Sequence, residues 1–239
     1  MYTNYIFDLY GTLVDINTNE NSKSLWEKLA LFYSFNGAYY NEKGLKAAYK
    51  RKVKETLSSI VGTDYPDFPI ENIFKLLFED KDVHVSENTI KATTQMFRIL
   101  SIKYLKLYDG VLELLDLLKE KKKKIYLLSN AQRIFTLYEM KTLKIYEYFD
   151  GIYFSSDHYV CKPDNMFYNK LLKEFSLDTK NTIMIGNDFI ADIEGASYAG
   201  LDSLYINSNL SSEITKILKS KYNIMDGDVN KIAELIISK

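Results

Sequence analysis

The chain has 239 residues, 46% of them hydrophobic, enough to bury one large core or a core with a smaller insert. Thirty-one basic against thirty-two acidic residues leave a formal charge of −1, which gives no electrostatic case for nucleic acid as a partner. No apolar run reaches the roughly 18 residues that span a bilayer, the N-terminus shows no basic stretch leading into a hydrophobic segment, and the single cysteine, Cys161, supports neither an internal disulfide nor thiolate–metal chemistry. A cytoplasmic protein with no membrane partner is expected, its oligomeric state open.

The first apolar strand, Tyr5-Ile-Phe7, stops on Asp8 and runs at once into a glycine turn, Asp8-Leu-Tyr10-Gly-Thr12. Residues 16–103 then show helical periodicity and no clear strand. Trp26, Leu29, Ala30 and Tyr33 share one helical face that Gly37 ends, and Ala47, Ala48, Lys50, Val53 and Leu57 suggest a weaker helix. Asp64-Tyr-Pro-Asp-Phe-Pro69 is a turn-rich break, after which Ile73, Leu76 and Leu77 resume the pattern and Ser86 caps a further helix through Ile99.

From about residue 104 onward the pattern alternates. A helix carrying Leu112, Leu115 and Leu118 follows Asp109-Gly110, and the basic run Lys121 to Lys124 suits its solvated C-terminus. Apolar strands follow at Ile125–Leu128, Ile152–Phe154, Thr182–Ile185 and Ser203–Ile206. Between them lie a helix from about Asn165 to Phe175 and one carrying Ile190, Ile193, Ala196 and Ala199 that stops at Gly200. Alternating strands and helices predict an α/β fold with a parallel sheet. Residues 1–15 and 104–239 form its core domain, and 16–103 an all-helical insert placed to act as a lid.

Four short motifs fall at or just after strand ends: Asp8-x-Tyr-Gly-Thr12, Leu128-Ser129-Asn130, Cys161-Lys162-Pro163 and Gly186-Asn-Asp188-x-x-x-Asp192. Asp8, taken singly, also suits a turn; Ser129 and Asn130 suit a strand-to-helix cap; and Asp188 and Asp192 suit the N-terminus of a helix. Thr12 and Ser129 offer hydroxyl donors, and Lys162 a positive charge, for an anionic group beside Asp8. Asp188 and Asp192 are four apart, on one side of an intervening helix, and with Asp8 make a three-carboxylate set of the hard-oxygen type that holds Mg²⁺. His158 and Cys161, near Lys162 but without complementary partners, read as structural.

In order and spacing these motifs resemble the haloacid dehalogenase-like hydrolases, over the first fifteen residues and about 104–207. The insert sits where that family carries a helical cap of the first type. The resemblance implies a Rossmann-like core, with Asp8 as a nucleophile that forms a covalent aspartyl intermediate. It implies that Thr12, Ser129, Asn130 and Lys162 grip the phosphate, and that Asp8, the carbonyl of Tyr10 and Asp188 hold Mg²⁺. Asp192 then binds the metal through water or orients Lys162.

At position 10 the family's phosphatases carry an aspartate that protonates the leaving oxygen and then activates water, a role worth about 10²–10⁴ in rate. Tyrosine, with a pKa near 10, is a poor substitute. The 2-haloacid dehalogenases do carry Asp-x-Tyr-Gly-Thr, and Tyr10 pulls the reading toward them. The fourth motif, and the lack of any arginine between Asp8 and Arg51 to grip a substrate carboxylate, pull it back. The leading expectation is a Mg²⁺-dependent phosphatase of a small phosphorylated metabolite, slow or restricted to good leaving groups. The alternatives are an L-2-haloacid dehalogenase using Asp8 without metal, and a weakly catalytic relative that binds metabolites or partners.

Overall fold

The computed structural model describes residues 2–236. Among them, six strands form one parallel sheet: β1 (Asn4–Phe7), β4 (Lys124–Ser129), β5 (Gly151–Phe154), β6 (Thr182–Gly186), β7 (Asp202–Ile206) and β8 (Tyr222–Ile224). Their order across the sheet is β5-β4-β1-β6-β7-β8. The order reverses at β1, which pairs in register with β4 on one side and β6 on the other, Phe7 facing both Leu127 and Ile185. That is where an open parallel sheet leaves a crevice beyond its carboxyl ends.

The strands read as continuous apolar runs because both faces of the sheet are covered. Tyr5, Phe7, Ile125, Leu127, Ile183 and Ile185 point to one face, packed by α5 (Val111–Glu120), α6 (Arg133–Thr142) and α10 (Asn230–Ile236). Ile6, Tyr126, Leu128 and Met184 point to the other, against α8 (Asn165–Glu174) and α9 (Gly195–Tyr198). A single turn, α7 (Ser155–His158), follows β5.

Four helices separate β1 from this alternation: α1 (Lys23–Phe35), α2 (Glu42–Ser59), α3 (Glu71–Glu79) and α4 (Glu87–Ser101). They gather around their own apolar cluster, with Trp26, Leu29, Tyr33, Phe74, Leu77 and Phe97 at its centre and Phe135 reaching in from α6. Caps fix the helix starts: the Asn41 side chain accepts from the Gly44 N–H at 2.7 Å, and Ser86 Oγ from the Thr89 N–H at 3.2 Å. The buried face of α2 carries Leu45 with Tyr49 and Val53, whereas Lys50 lies outside it. Lys52 is drawn in to pair with Asp80 at 2.8 Å.

Contrary to the strand-free reading of residues 16–103, β2 (Val14–Thr18) and β3 (Ile102–Leu107) form a two-stranded antiparallel ribbon joining the helices to the sheet. The two strands pair with each other outside the central sheet and no residue of β3 is buried, so neither carries the apolar run by which the central strands are recognised. No helix among the described residues is long and apolar enough to cross a membrane.

Candidate active site

Asp8 follows the last residue of β1 and is 8% exposed. Its backbone N–H still bonds to the Ile185 carbonyl of β6 at 3.0 Å, so the sheet itself fixes where its side chain starts. Ser129, the last residue of neighbouring β4, donates its hydroxyl to Asp8 Oδ1 at 3.1 Å, and Lys162 donates Nζ to the same oxygen at 2.7 Å. With two donors on Oδ1, the other oxygen, Oδ2, receives no hydrogen bond from the described residues, and Asp8 lines a cavity of about 190 Å³. Asn130, Asp188 and Leu210 are among the residues lining that cavity.

Lys162 is shared. Its ammonium also meets Asp192 Oδ1 at 2.7 Å, and both side chains of that pair are 1% exposed. Burial alone would pull the ammonium down, but the carboxylates of Asp192 and Asp8 reverse this and hold it above its ordinary value. Burial pushes the Asp192 carboxyl up to about 7, against the pull of Lys162. Asn130 keeps the lysine in place from behind. Its side-chain oxygen accepts from the Lys162 N–H at 2.7 Å, and its Nδ2 donates to the Lys162 carbonyl at 2.9 Å. Asn130 thus acts on the chain that carries the lysine.

The two aspartates of the fourth motif do different work. After β6 the chain enters a π-helical turn, Phe189–Glu194, in place of the expected regular helix. Asp188 Oδ1 caps it by accepting from the Ile190 and Ala191 N–H groups at 2.9 and 2.7 Å, while Ser212 donates to Oδ2 at 3.1 Å. Asp192 spends Oδ1 on Lys162 and Oδ2 on the Asp188 N–H at 2.9 Å. Asp8, Asp188 and Asp192 line the same cavity, but both Asp192 oxygens are taken, and among the described residues no group of three or more His, Cys, Asp or Glu side chains is placed to hold a metal. Asp192 orients Lys162 instead. Asp8 and Asp188 still line one cavity with Tyr10, a hard-oxygen donor set that suits Mg²⁺, which takes one or two carboxylates and keeps several waters.

Thr12 also departs from expectation. The Thr12 hydroxyl is given to Asn187 Oδ1 at 3.2 Å and is not directed at Asp8. Gly11 has a φ of +87°, and a Cβ there would lie 2.3 Å from Asn187 Nδ2, so the asparagine occupies the space above the turn. Likewise a Cβ on Gly186 would lie 2.2 Å from Asp192, and this glycine lets the carboxylate tuck beneath β6.

Tyr10 turns its hydroxyl to α6, meeting Thr136 at 2.9 Å and donating to Glu139, while Arg98 of α4 approaches it at 3.4 Å. Arg98 and Glu139 form a buried ion pair at 2.6 Å. Burial, and then the Glu139 carboxylate, push the Tyr10 phenol far above its usual value. Sequence reasoning missed Glu139, because α6 gave no clear periodicity, and Arg98, which reads as an ordinary helix-terminal cation. It missed Leu210 and Ser212 as well, which only the loop after β7 brings to the site, and it gave Asn187, directly after β6, no partner of its own.

His158 stacks on Tyr153, ring centroids 4.0 Å apart, and burial pushes the Cys161 thiol up to about 12, so both side chains sit as structural groups.

Comparison with known proteins fits this arrangement. The family model of haloacid dehalogenase-like hydrolases matches residues 2–200. The chain is 29% identical over 100 residues to the pyrimidine 5'-nucleotidase PynA of Streptococcus pneumoniae, covering 41% of this chain and 42% of that protein. It is 26% identical over 121 residues to a glyceraldehyde 3-phosphate phosphatase of Methanothermobacter thermautotrophicus, covering 50% and 54%. The chain thus spans about half the length of these curated relatives. Among solved structures, the 2-haloacid dehalogenase of Pseudomonas syringae pv. Tomato DC3000 superposes with a TM-score of 0.66 at 17% identity, over 100% of this chain and 99% of that one. The magnesium-bound HAD-hydrolase YfnB of Bacillus subtilis gives 0.57 at 18%, over 99% of each. These two structures share the fold. With its strand-end aspartate, its shared lysine and a family match over most of its length, this chain belongs to the haloacid dehalogenase-like hydrolases.

Proposed function

We propose that the protein is a Mg²⁺-dependent phosphatase acting on a small phosphorylated metabolite, with Asp8 as the nucleophile. The observation that carries this reading is the asymmetry at Asp8: Ser129 and Lys162 bind Oδ1, leaving Oδ2 without a donor on a residue that lines the cavity. A carboxylate needs no base to attack, and here its attacking oxygen is aimed by donors on its twin. Ser129 and the Lys162 ammonium also stand where the phosphoryl oxygens gather charge. Asp8, the Tyr10 carbonyl and Asp188 would hold the cation, which neutralises phosphoryl oxygens when bound. Attack by Oδ2 breaks the bond from phosphorus to the leaving oxygen. Water then cleaves the aspartyl phosphate, releasing phosphate and regenerating the Asp8 carboxylate.

The test is a panel of phosphate esters assayed with Mg²⁺ and with chelator, using Asp8→Asn as the blank. Turnover that needs both Asp8 and the cation supports the proposal; turnover that survives Asp8→Asn overturns it. A second reading, metal-independent dehalogenation of L-2-haloacids, is favoured by Tyr10, since halide leaves without a proton. Against it, the Arg98 guanidinium is already neutralised by Glu139 and is not free to grip a substrate carboxylate. Chloride release from 2-chloropropionate in the presence of chelator, lost in Asp8→Asn, would establish it.

A further inference from the structure

The turn-rich segment between α2 and α3 lies against the core, on the two loops that carry the groups around Asp8. Pro66 bridges to Val160, the Cys161 N–H donates to the Tyr65 carbonyl at 2.8 Å, and Thr63 donates its hydroxyl to Asp164. These contacts flank Lys162 on both sides. On the other loop, Gln132 donates Nε2 to Asp67 Oδ1 at 2.9 Å and accepts from the Ile70 N–H, also at 2.9 Å. The Asp67 carboxylate goes further. Its Oδ2 accepts from Ser155 Oγ at 2.5 Å, and that oxygen in turn accepts from the Ala131 N–H at 2.8 Å. Ala131 directly follows Ser129 and Asn130, and Asn130 brackets the Lys162 backbone.

We infer that Asp67 is a positioning residue for the reaction: through Ser155 and Gln132 it holds the Ser129–Asn130 loop, and through that loop Lys162, in the geometry that grips the phosphoryl group. This role rests on the phosphatase reading. Asp67 is half-buried and touches neither Asp8 nor the cavity beside it, and it belongs to the helical insert. The insert thus reaches the phosphate-binding groups through their supporting backbone. A carboxylate suits the position because it accepts from Ser155 on one oxygen and from Gln132 and the Phe68 N–H on the other, fastening three segments at once. Displacement of gripping groups by a fraction of an ångström weakens a preorganised anion site without unfolding it.

The test uses the whole protein with Mg²⁺, p-nitrophenyl phosphate as substrate and inorganic phosphate as competitive inhibitor. Asp67→Ala should raise the inhibition constant of phosphate on the order of tenfold, and KM with it. Ser155→Ala should raise it too, and the double variant should raise it by less than the two single effects combined, because both variants break the Asp67–Ser155 link. Asp67→Asn, which still accepts from Gln132 and can donate to Ser155 Oγ, should stay within about twofold of wild type. A purely structural role predicts a lower kcat from a smaller folded fraction with an unchanged inhibition constant, and that result in Asp67→Ala would overturn the inference. Should Asp67→Ala fail to fold, an unchanged constant in Ser155→Ala overturns it equally. Wild-type protein that cleaves no phosphate ester, even with Mg²⁺, overturns the phosphatase reading and this role together. Normal wild-type turnover with unmoved constants overturns this role alone.

Discussion

Asp8 carries the reaction in the proposed mechanism, and Asp8→Asn should lower phosphatase turnover by roughly 10⁴-fold or more while preserving the fold, measured as kcat with Mg²⁺. The amide keeps an oxygen for Ser129 and Lys162 but has no nucleophilic carboxylate. At position 10 the expectation runs the other way. The Tyr10 hydroxyl is committed to Glu139 and Thr136, so it has no proton to offer a leaving oxygen. Tyr10→Asp should raise kcat/KM for alkyl phosphates by about 10²-fold while leaving good leaving groups such as p-nitrophenolate nearly unchanged. No gain would mean that another group already supplies the proton. The motif residues Asp8, Ser129 and Lys162 are legible in the sequence because each lies at or just beyond the end of a recognisable strand or in an ordered series of motifs. The destinations of Thr12 and Tyr10 are not legible, because Asn187, Thr136 and Glu139 meet them from 126 to 175 positions away.

Between elements, the Arg98–Glu139 pair is the main charged fastening of α4 to α6, and both side chains are largely buried. Arg98→Met leaves Glu139 buried without its partner and should cost about 3–5 kcal/mol in urea unfolding. Adding Glu139→Gln should recover much of that loss, since the uncompensated charge is what costs most. The short helix α7 contributes a pH dependence. Burial lowers the His158 pKa below its ordinary value, with Asp157, Lys170, Glu174 and Arg133 as its charged neighbours. The unfolded chain then binds more protons than the folded one as pH falls through about 6.5, so this stabilisation is complete above that pH and is lost on acidification. The fall in urea midpoint between about pH 7.5 and pH 5 should be smaller in His158→Phe, which keeps an aromatic ring on Tyr153. The central strands and long helices are legible from their periodicity. The ribbon of β2 and β3, the three-residue β8 and the π-helical turn are not, since short or half-exposed segments carry little pattern and a single π turn has nearly the apolar spacing of a regular helix.

At the scale of the molecule, the apolar cluster of the inserted helices is distinct from the two that sandwich the sheet. Trp26, the only tryptophan, sits in that cluster with its ring centroid 5.6 Å from that of Phe97, and so reports on the insert alone. Phe97→Ala should cost about 3–5 kcal/mol locally. Tryptophan fluorescence should then change at lower urea than far-UV circular dichroism, whereas in wild type the closer the two transitions lie, the tighter the coupling between insert and core.

The groups around Asp8 come from sequence positions 8, 129, 162 and 192, on the loops beyond neighbouring strands of one sheet. The shared lysine makes that spread a matter of time. While the chain is being made, Asp8 emerges first and must wait for Asp192, 184 residues later by subtraction of their numbers, before Lys162 has both of its partners. At about 5–20 residues per second, that is roughly 10–40 s of synthesis during which Asp8 exists without the groups that surround it. Refolding in vitro starts from the whole chain, but long-range parallel pairing is still slow, and activity should return with the last strand to dock rather than with the early helices.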